Sequence, residues 1–253
     1  MSYLPGKFVW FEHQSTDARK AQAFYEGLFG WRTETMPLGE MRYSMIMNGQ
    51  TGIGGYGQAG AGTPNRWMSY LSVTDVDASY RAALTAGAKG LMAPVDFGPV
   101  GRGATLADPT GAVLSLWKSA DGDRPDPART APGNWVWNEL WSSERPDALA
   151  FYERVFGFAH EDMDMGPQGV YTLLKQDGVN RAGLAQSVNP KAASMWLPYV
   201  EVDHCDATAA TAGPLGGTVL LAPQDIPGVG RFAIIADPLG APFALLRSLD
   251  GAS

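Results

Sequence analysis

The stretch GKFVWFEHQSTDARKAQAFYEGLFGW, residues 6–31, returns without a gap as GNWVWNELWSSERPDALAFYERVFGF, residues 133–158. Trp10 matches Trp137, Glu12 matches Glu139, Phe24-Tyr25 match Phe151-Tyr152, and Phe29-Gly30 match Phe156-Gly157. Over Lys7–His13, Val9 and Phe11 alternate with Phe8, Trp10 and Glu12, the period of a two-faced strand. Thr16 or Asp17 then caps a helix in which Ala21, Phe24, Tyr25 and Leu28 fall at helical spacing, and Gly30 terminates it. The second copy keeps that spacing in Ala148, Phe151, Tyr152 and Val155, with Pro146 near the first helical turn.

The repeat extends downstream. Trp67, Tyr70 and Val73 recur as Trp196, Tyr199 and Val202, and APVDFGPVGRGATLADPTGA (93–112) recurs as APQDIPGVGRFAIIADPLGA (222–241). Within each half, strand–helix–strands is performed twice. Shorter strands are expected near 32–36, 43–47 and 52–57. A second unit opens at 67–74, carries a helix over about 76–86, and closes with strands near 91–95, 102–107 and 112–117. The predicted layout is a first domain over 1–118, with units at about 6–57 and 66–118. A Pro-, Gly- and Asp-rich linker over 119–132 follows. The second domain spans 133–253, with units at about 133–187 and 194–248.

Composition narrows the function classes. The 253 residues carry a formal charge of −7 with 45% hydrophobic residues. That acidic balance opposes a general nucleic-acid binder, which needs a basic surface. No stretch approaches the roughly 20 apolar residues of a transmembrane helix, and the start MSYLPGKFVWFEHQ has no secretory pattern. One cysteine, Cys205, precludes an intramolecular disulfide and suits a reducing compartment. The expectation is a cytoplasmic protein with a small-molecule partner, binding neither nucleic acid nor membrane, as monomer or homodimer.

The strand–(S/T)xD–helix with FYxxLFGW, the VTDVDA after the second opening strand, and the DPxGA of the closing hairpin together resemble the vicinal-oxygen-chelate superfamily. That superfamily includes glyoxalase I, extradiol dioxygenases, and fosfomycin- and bleomycin-resistance proteins. The resemblance covers nearly the whole chain and implies an α+β fold: four βαβββ units paired into two half-open curved-sheet, glyoxalase-like domains, each sheet wrapping a cleft. Members with a metal take its ligands, usually His and Glu, from the first and last strands of both paired units.

Carried over position by position, that ligand set meets Trp10 and Trp137, Met68 and Leu197, and Ser115 and Ala244. The segments 49–57 and 178–187 hold no His, Asp, Glu or Cys. A catalytic divalent cation wants imidazole or carboxylate, so no metal site and no cofactor is expected, although the family leaves a divalent metal open. The three histidines, His13, His160 and His204, are not expected to converge, and parity turns His13 away from the cleft.

Glu12 and Glu139 are the best remaining chemical groups, two residues beyond Trp10 and Trp137 and so on the same strand face. A carboxylate beside tryptophan suits a general acid or base, or a hydrogen bond to a ligand amine. The structural alternative is a bond to backbone or to a Tyr hydroxyl. Trp10, Met68, Tyr70, Ser115 and Trp117 in the first half, with Trp137 and Tyr199 in the second, are read as ligand-lining residues. Arg102 and Arg231 either meet an anionic ligand group or brace their own hairpins through acids such as Asp96 and Asp225. Asp108-Pro and Asp237-Pro are turn chemistry, Gly52–Gly55 is not a nucleotide loop, and Cys205 is a structural thiol.

The leading functional expectation is a metal-independent binder of a small aromatic or apolar molecule. The alternative is a glyoxalase-like lyase, isomerase or dioxygenase with an atypical metal site or a glutamate general base. The halves also differ at Phe11/Asn138, Ser115/Ala244 and Trp117/Leu246, so one cleft could serve as scaffold.

Overall fold

The computed structural model describes residues 2–38, 41–60, 62–166, 169–187, 189 and 192–249. Met1 and residues 250–253, at the expected domain ends, lie outside them. The first half runs β1 (Phe8–Ser15), α1 (Ala18–Phe29), β2 (Arg32–Leu38), β3 (Met41–Asn48) and β4 (Thr51–Gln58). It continues with β5 (Arg66–Ser72), α2 (Val76–Thr85), β6 (Lys89–Asp96), β7 (Gly101–Ala107) and β8 (Val113–Ser119). The second half repeats this as β9 (Trp135–Ser142), α3 (Arg145–Phe156), β10 (Ala159–Asp164), β11 (Val170–Gln176) and β12 (Val179–Gln186). Its closing unit is β13 (Met195–Glu201), α4 (Cys205–Ala212), β14 (Thr218–Ile226), β15 (Gly230–Ala236) and β16 (Pro242–Ser248). The βαβββ unit therefore occurs four times.

The helix signals act as their chemistry requires. Of the two capping candidates, Asp17 accepts the Lys20 amide at 3.1 Å, supplying an acceptor to an otherwise orphan N–H. Gly30 and Gly157 end α1 and α3 in the left-handed region at φ 70° and 72°, where a side chain would be strained.

The strands form two eight-stranded mixed sheets, ordered β2-β3-β4-β1-β5-β8-β7-β6 and β10-β11-β12-β9-β13-β16-β15-β14. β1 pairs parallel with β4 and β5 parallel with β8, whereas the β2–β4 and β6–β8 ladders are antiparallel. Sheet order follows the halves, but packing crosses them. One compact unit comprises residues 1–10, 68–125 and 137–196, and the other residues 11–67, 126–136 and 197–253. The first therefore joins α2 with α3, and the second α1 with α4.

The first unit buries Leu71, Leu106, Leu114, Leu116, Leu140 and Phe151 in one cluster. Each such side chain contributes about 1.5–3 kcal/mol of transfer energy. The second is built on rings: Tyr25 stacks on Trp31 at 5.5 Å and meets Trp67 edge-on at 5.1 Å, and Trp67 meets Trp135 at 4.7 Å.

Three of the repeated signatures meet in each unit. In the first, the Trp196 indole donates to the Tyr152 hydroxyl at 3.0 Å, which donates to Asp108 at 3.0 Å. Asp108 also accepts the backbone amides of Thr110 and Ala112 and so closes its DPxGA turn. In the second unit Trp67 donates to Tyr25 at 2.8 Å and Tyr25 to Asp237 at 3.2 Å, while Asp237 accepts the Leu239 and Ala241 amides.

The second network has one further member. His13 Nε2 lies 2.6 Å from Asp237, both side chains fully buried, where the first unit has Leu140. Burial pushes the Asp108 carboxyl upward against its hydrogen bonds from Thr110, Tyr152 and Ala112. Burial acts the same way on Asp237, but the hydrogen bond and charge of His13, with the turn amides, hold it below the ordinary carboxylate range.

Candidate functional site

Strand parity sets the candidate faces. Along β1, Phe11, His13 and Ser15 are buried, whereas Trp10, Glu12 and Gln14 are half-buried. Along β8, Leu114 and Leu116 join the core, leaving Ser115 and Trp117 on the opposite face. Ser115 shares a hydrogen bond with Thr105 at 2.8 Å. Met68, Leu197, Ser115 and Ala244 are all buried, and Ser115 and Ala244 pair with Tyr70 and Tyr199 respectively.

The donor set at the positions where the family resemblance implies ligands is therefore indole, thioether, hydroxyl and alkyl, which does not fit a catalytic divalent cation. Among the described residues no group of three or more His, Cys, Asp or Glu could hold a metal ion. The histidines have other employment. His13 is bound to Asp237, exposed His160 to Glu153 at 2.6 Å, and His204 occupies the N-cap of α4.

Glu139 is the best-formed carboxylate site and belongs to the first compact unit. The strand order β11-β12-β9 leaves β12 between it and Tyr171. Tyr171 reaches over Gly183, the residue paired with Glu139, and donates its hydroxyl to Oε2 at 2.8 Å. A Cβ at Gly183 would overlap that hydroxyl, so the glycine is what permits the bridge. Trp137 Nε1 donates to the Tyr171 oxygen at 2.9 Å, and Trp141 Nε1 donates to Glu139 Oε1. Burial, with the Glu139 charge, pushes the Tyr171 hydroxyl well above its usual value, so it remains a donor.

The second unit repeats the device. Tyr43 on β3 crosses β4 at Gly55, the residue paired with Glu12, and donates to Glu12 Oε2 at 3.0 Å. A Cβ at Gly55 would overlap the Tyr43 hydroxyl, and one at Gly57 would lie 2.6 Å from Glu12 Oε1. Tyr43 and Tyr171 escape sequence reading. Their signal is a glycine on the middle strand and a tyrosine at the matching offset in both halves.

The arginines are braced. Arg102 binds Asp77 through Nε and Nη2 at 2.7 and 2.9 Å and Asp96 through Nη1 at 2.8 Å. Arg231 repeats this with Asp206 at 2.5 and 2.8 Å and Asp225 at 2.9 Å. Arg102→Ala should therefore leave small-molecule affinity and melting temperature nearly unchanged, since exposed ion pairs contribute little. A loss of affinity in a binding titration would return Arg102 to the ligand site. Cys205 is buried, and burial pushes its thiol up to about 11, which suits an inert structural residue.

Comparison with known proteins places the family and the fold. Residues 10–117 match the Glyoxalase-like domain family. CFP32 of Mycobacterium bovis, provisionally named a glyoxylase, is 36% identical over 97% of this chain and 96% of its own length. The chain belongs to the glyoxalase-like branch of the vicinal-oxygen-chelate superfamily. The Streptomyces peucetius anthracycline biosynthesis protein DnrV is 30% identical over 98% of this glyoxalase-like chain and 96% of its own. Among solved structures, the Mn(II)-bound glyoxalase of Novosphingobium aromaticivorans matches 98% of this chain and 85% of its own, with a TM-score of 0.65 and 18% identity. The 2,3-dioxygenase LapB of Pseudomonas sp. KL28 matches 98% and 94%, with a TM-score of 0.66 and 11% identity. At such identities these two likenesses show the glyoxalase-like fold alone. No helix among the described residues is long and apolar enough to cross a membrane.

Proposed function

We propose that this glyoxalase-like protein binds a small aromatic molecule through carboxylate–tyrosine pairs, without the family's metal. The observation that carries the reading is the Glu139–Tyr171 pair framed by Trp137 and Trp141, with its counterpart Glu12–Tyr43. Each lies on the strand that opens its half, two residues from a tryptophan at the position where the family resemblance implies a metal ligand. Indole and phenol rings give a flat ligand large contact area, and a carboxylate selects for a ligand N–H or ammonium group. The acidic balance of the chain favours neutral or cationic ligands. The relative named for anthracycline biosynthesis supports an aromatic ligand. The reduced, buried Cys205 suits a cytoplasmic setting, and nothing in this reading requires nucleic acid, a membrane or an obligate second chain.

The test is titration with basic aromatic probes such as 9-aminoacridine. Glu139→Gln and Glu12→Gln should each weaken binding at its own pair about tenfold to a hundredfold, the worth of a charge-assisted hydrogen bond, with little loss of fold. A shift in melting temperature without a change in binding would make the carboxylates structural. Elemental analysis of untagged protein supplies the second arm: near-stoichiometric Zn, Ni, Mn or Fe would refute the metal-free reading.

The glyoxylase name of CFP32 favours a second reading, a lyase or isomerase in which Glu12 or Glu139 takes a proton beside a carbonyl. Tyrosine hydroxyls would then be the donors available to the developing enolate. Turnover lost in both Gln variants supports this reading, and unchanged turnover removes it.

A further inference from the structure

The closing strands of the two halves differ at a set of positions that act together. In the first half Trp117 on β8 pairs with Gly103 on β7, and its indole lies along that strand. A Cβ at Gly103 would sit 3.0 Å from Trp117 Cε3, and one at Gly101 2.7 Å from Cζ2. Tyr70 meets the indole edge-on at 6.0 Å and 79°, and Phe97 tilts against it at 5.6 Å and 56°. All three rings are half-buried. Beside them lies the hydroxyl pair Thr105–Ser115 at 2.8 Å, with Ser115 paired to Tyr70.

In the second half the large ring stands on the other strand of the pair, and no glycine faces it. Phe232 stands where Gly103 does and pairs with Leu246, which stands for Trp117. Phe232 stacks on Tyr199 at 6.5 Å and 23°, and Tyr199 is only 4% exposed. The hydroxyl pair becomes Ile234 and Ala244, both buried. The second half has thus filled with apolar packing what the first leaves as a half-open aromatic surface with the half-buried Thr105 hydroxyl at its side.

We infer that the Tyr70–Trp117–Phe97 surface is a subsite for a planar conjugated ring bearing an oxygen at its edge, and that the second half has no equivalent. The inference rests on the proposed small-molecule function and adds the ligand class, the half that holds it, and a stoichiometry of one ring per chain. A planar ring suits the surface because an indole lying over glycines offers one face for offset stacking, while the two flanking rings close the sides. The half-buried Thr105 hydroxyl, backed by buried Ser115, suits a carbonyl or hydroxyl on that ring.

The test is calorimetric titration of the full chain with 2-(hydroxymethyl)anthraquinone, alongside 9-aminoacridine. The expected result is one anthraquinone per chain, bound about tenfold or more weakly by Trp117→Leu, which copies the second half, and unchanged by Phe232→Leu. Thr105→Val should weaken the anthraquinone and leave anthracene-9-methylamine, which lacks the ring oxygens, unaffected. Two equal sites, or full affinity in Trp117→Leu, overturns the subsite. Should sedimentation show that Trp117→Leu converts a dimer into monomers, the surface is a protein contact and the inference is wrong. Anthraquinone binding that survives Trp117→Leu but is lost in Glu139→Gln overturns the subsite and spares the proposed function. Failure of every aromatic probe on the unmodified chain overturns both.

Discussion

Alanine in place of His13 is expected to lower the unfolding free energy by about 3–5 kcal/mol, the cost of removing one partner from a buried pair. His13 and Asp237 have no exposed side-chain surface and lie 2.6 Å apart. Tyr25 and two turn amides complete the carboxylate's hydrogen bonds, so nothing else on hand replaces the imidazole. Urea denaturation near neutral pH measures the effect, and a loss below about 1 kcal/mol would show the pair to be dispensable.

His13→Leu separates charge from volume because it copies Leu140. In the unsubstituted protein Asp237 titrates below its unfolded value of about 3.9. Its contribution to stability is therefore present above that pH and lost as pH falls through the folded value. Without His13 its carboxyl should move in the direction of Asp108, which burial pushes up. The sign then reverses: the contribution is present below the unfolded value and lost as pH rises through the folded one. Stability profiles of His13→Leu and the parent should therefore diverge as pH rises from 3 to 6, and parallel profiles would refute the linkage.

Gly183→Ala is expected to cost about 1–3 kcal/mol, through displacement of Tyr171 from a nearly buried Glu139. The new methyl occupies the place of the Tyr171 hydroxyl and would stand 3.1 Å from Trp137 Nε1. Tyr171→Phe removes the same hydrogen bond by another route, so the double variant should lose clearly less than the sum of the singles. Additive losses in thermal and urea unfolding would show that glycine and tyrosine act independently. The same variant should weaken binding of basic aromatics, since Glu139 loses the donor that orients it.

The fold was legible because its signatures are also its joints. FY, the Trp that opens each second unit, and DPxGA are far apart in the chain, yet Tyr152, Trp196 and Asp108 are one hydrogen-bonded group, as are Tyr25, Trp67 and Asp237. Strand parity likewise separated Glu12 from His13. The tyrosines that hold the glutamates were not legible, because Tyr43 and Tyr171 come from two strands away and no local period connects them. Which units pack together was hidden for a different reason. The repeat makes the aromatic faces of α1 and α3 alike and the small-residue faces of α2 and α4 alike, so it does not say which small face each aromatic face meets.

That packing has a consequence for how the chain assembles. Each compact unit takes one helix from before residue 119 and one from after residue 133. A half-length chain would therefore lack both cross-half helix partners, and could regain that packing only by meeting another molecule, with a stability that rises and falls with protein concentration. Joining the halves through the Pro- and Gly-rich segment turns that encounter into an intramolecular one at high effective concentration. The tether thus does more than separate two similar parts: it makes each part's completion independent of dilution.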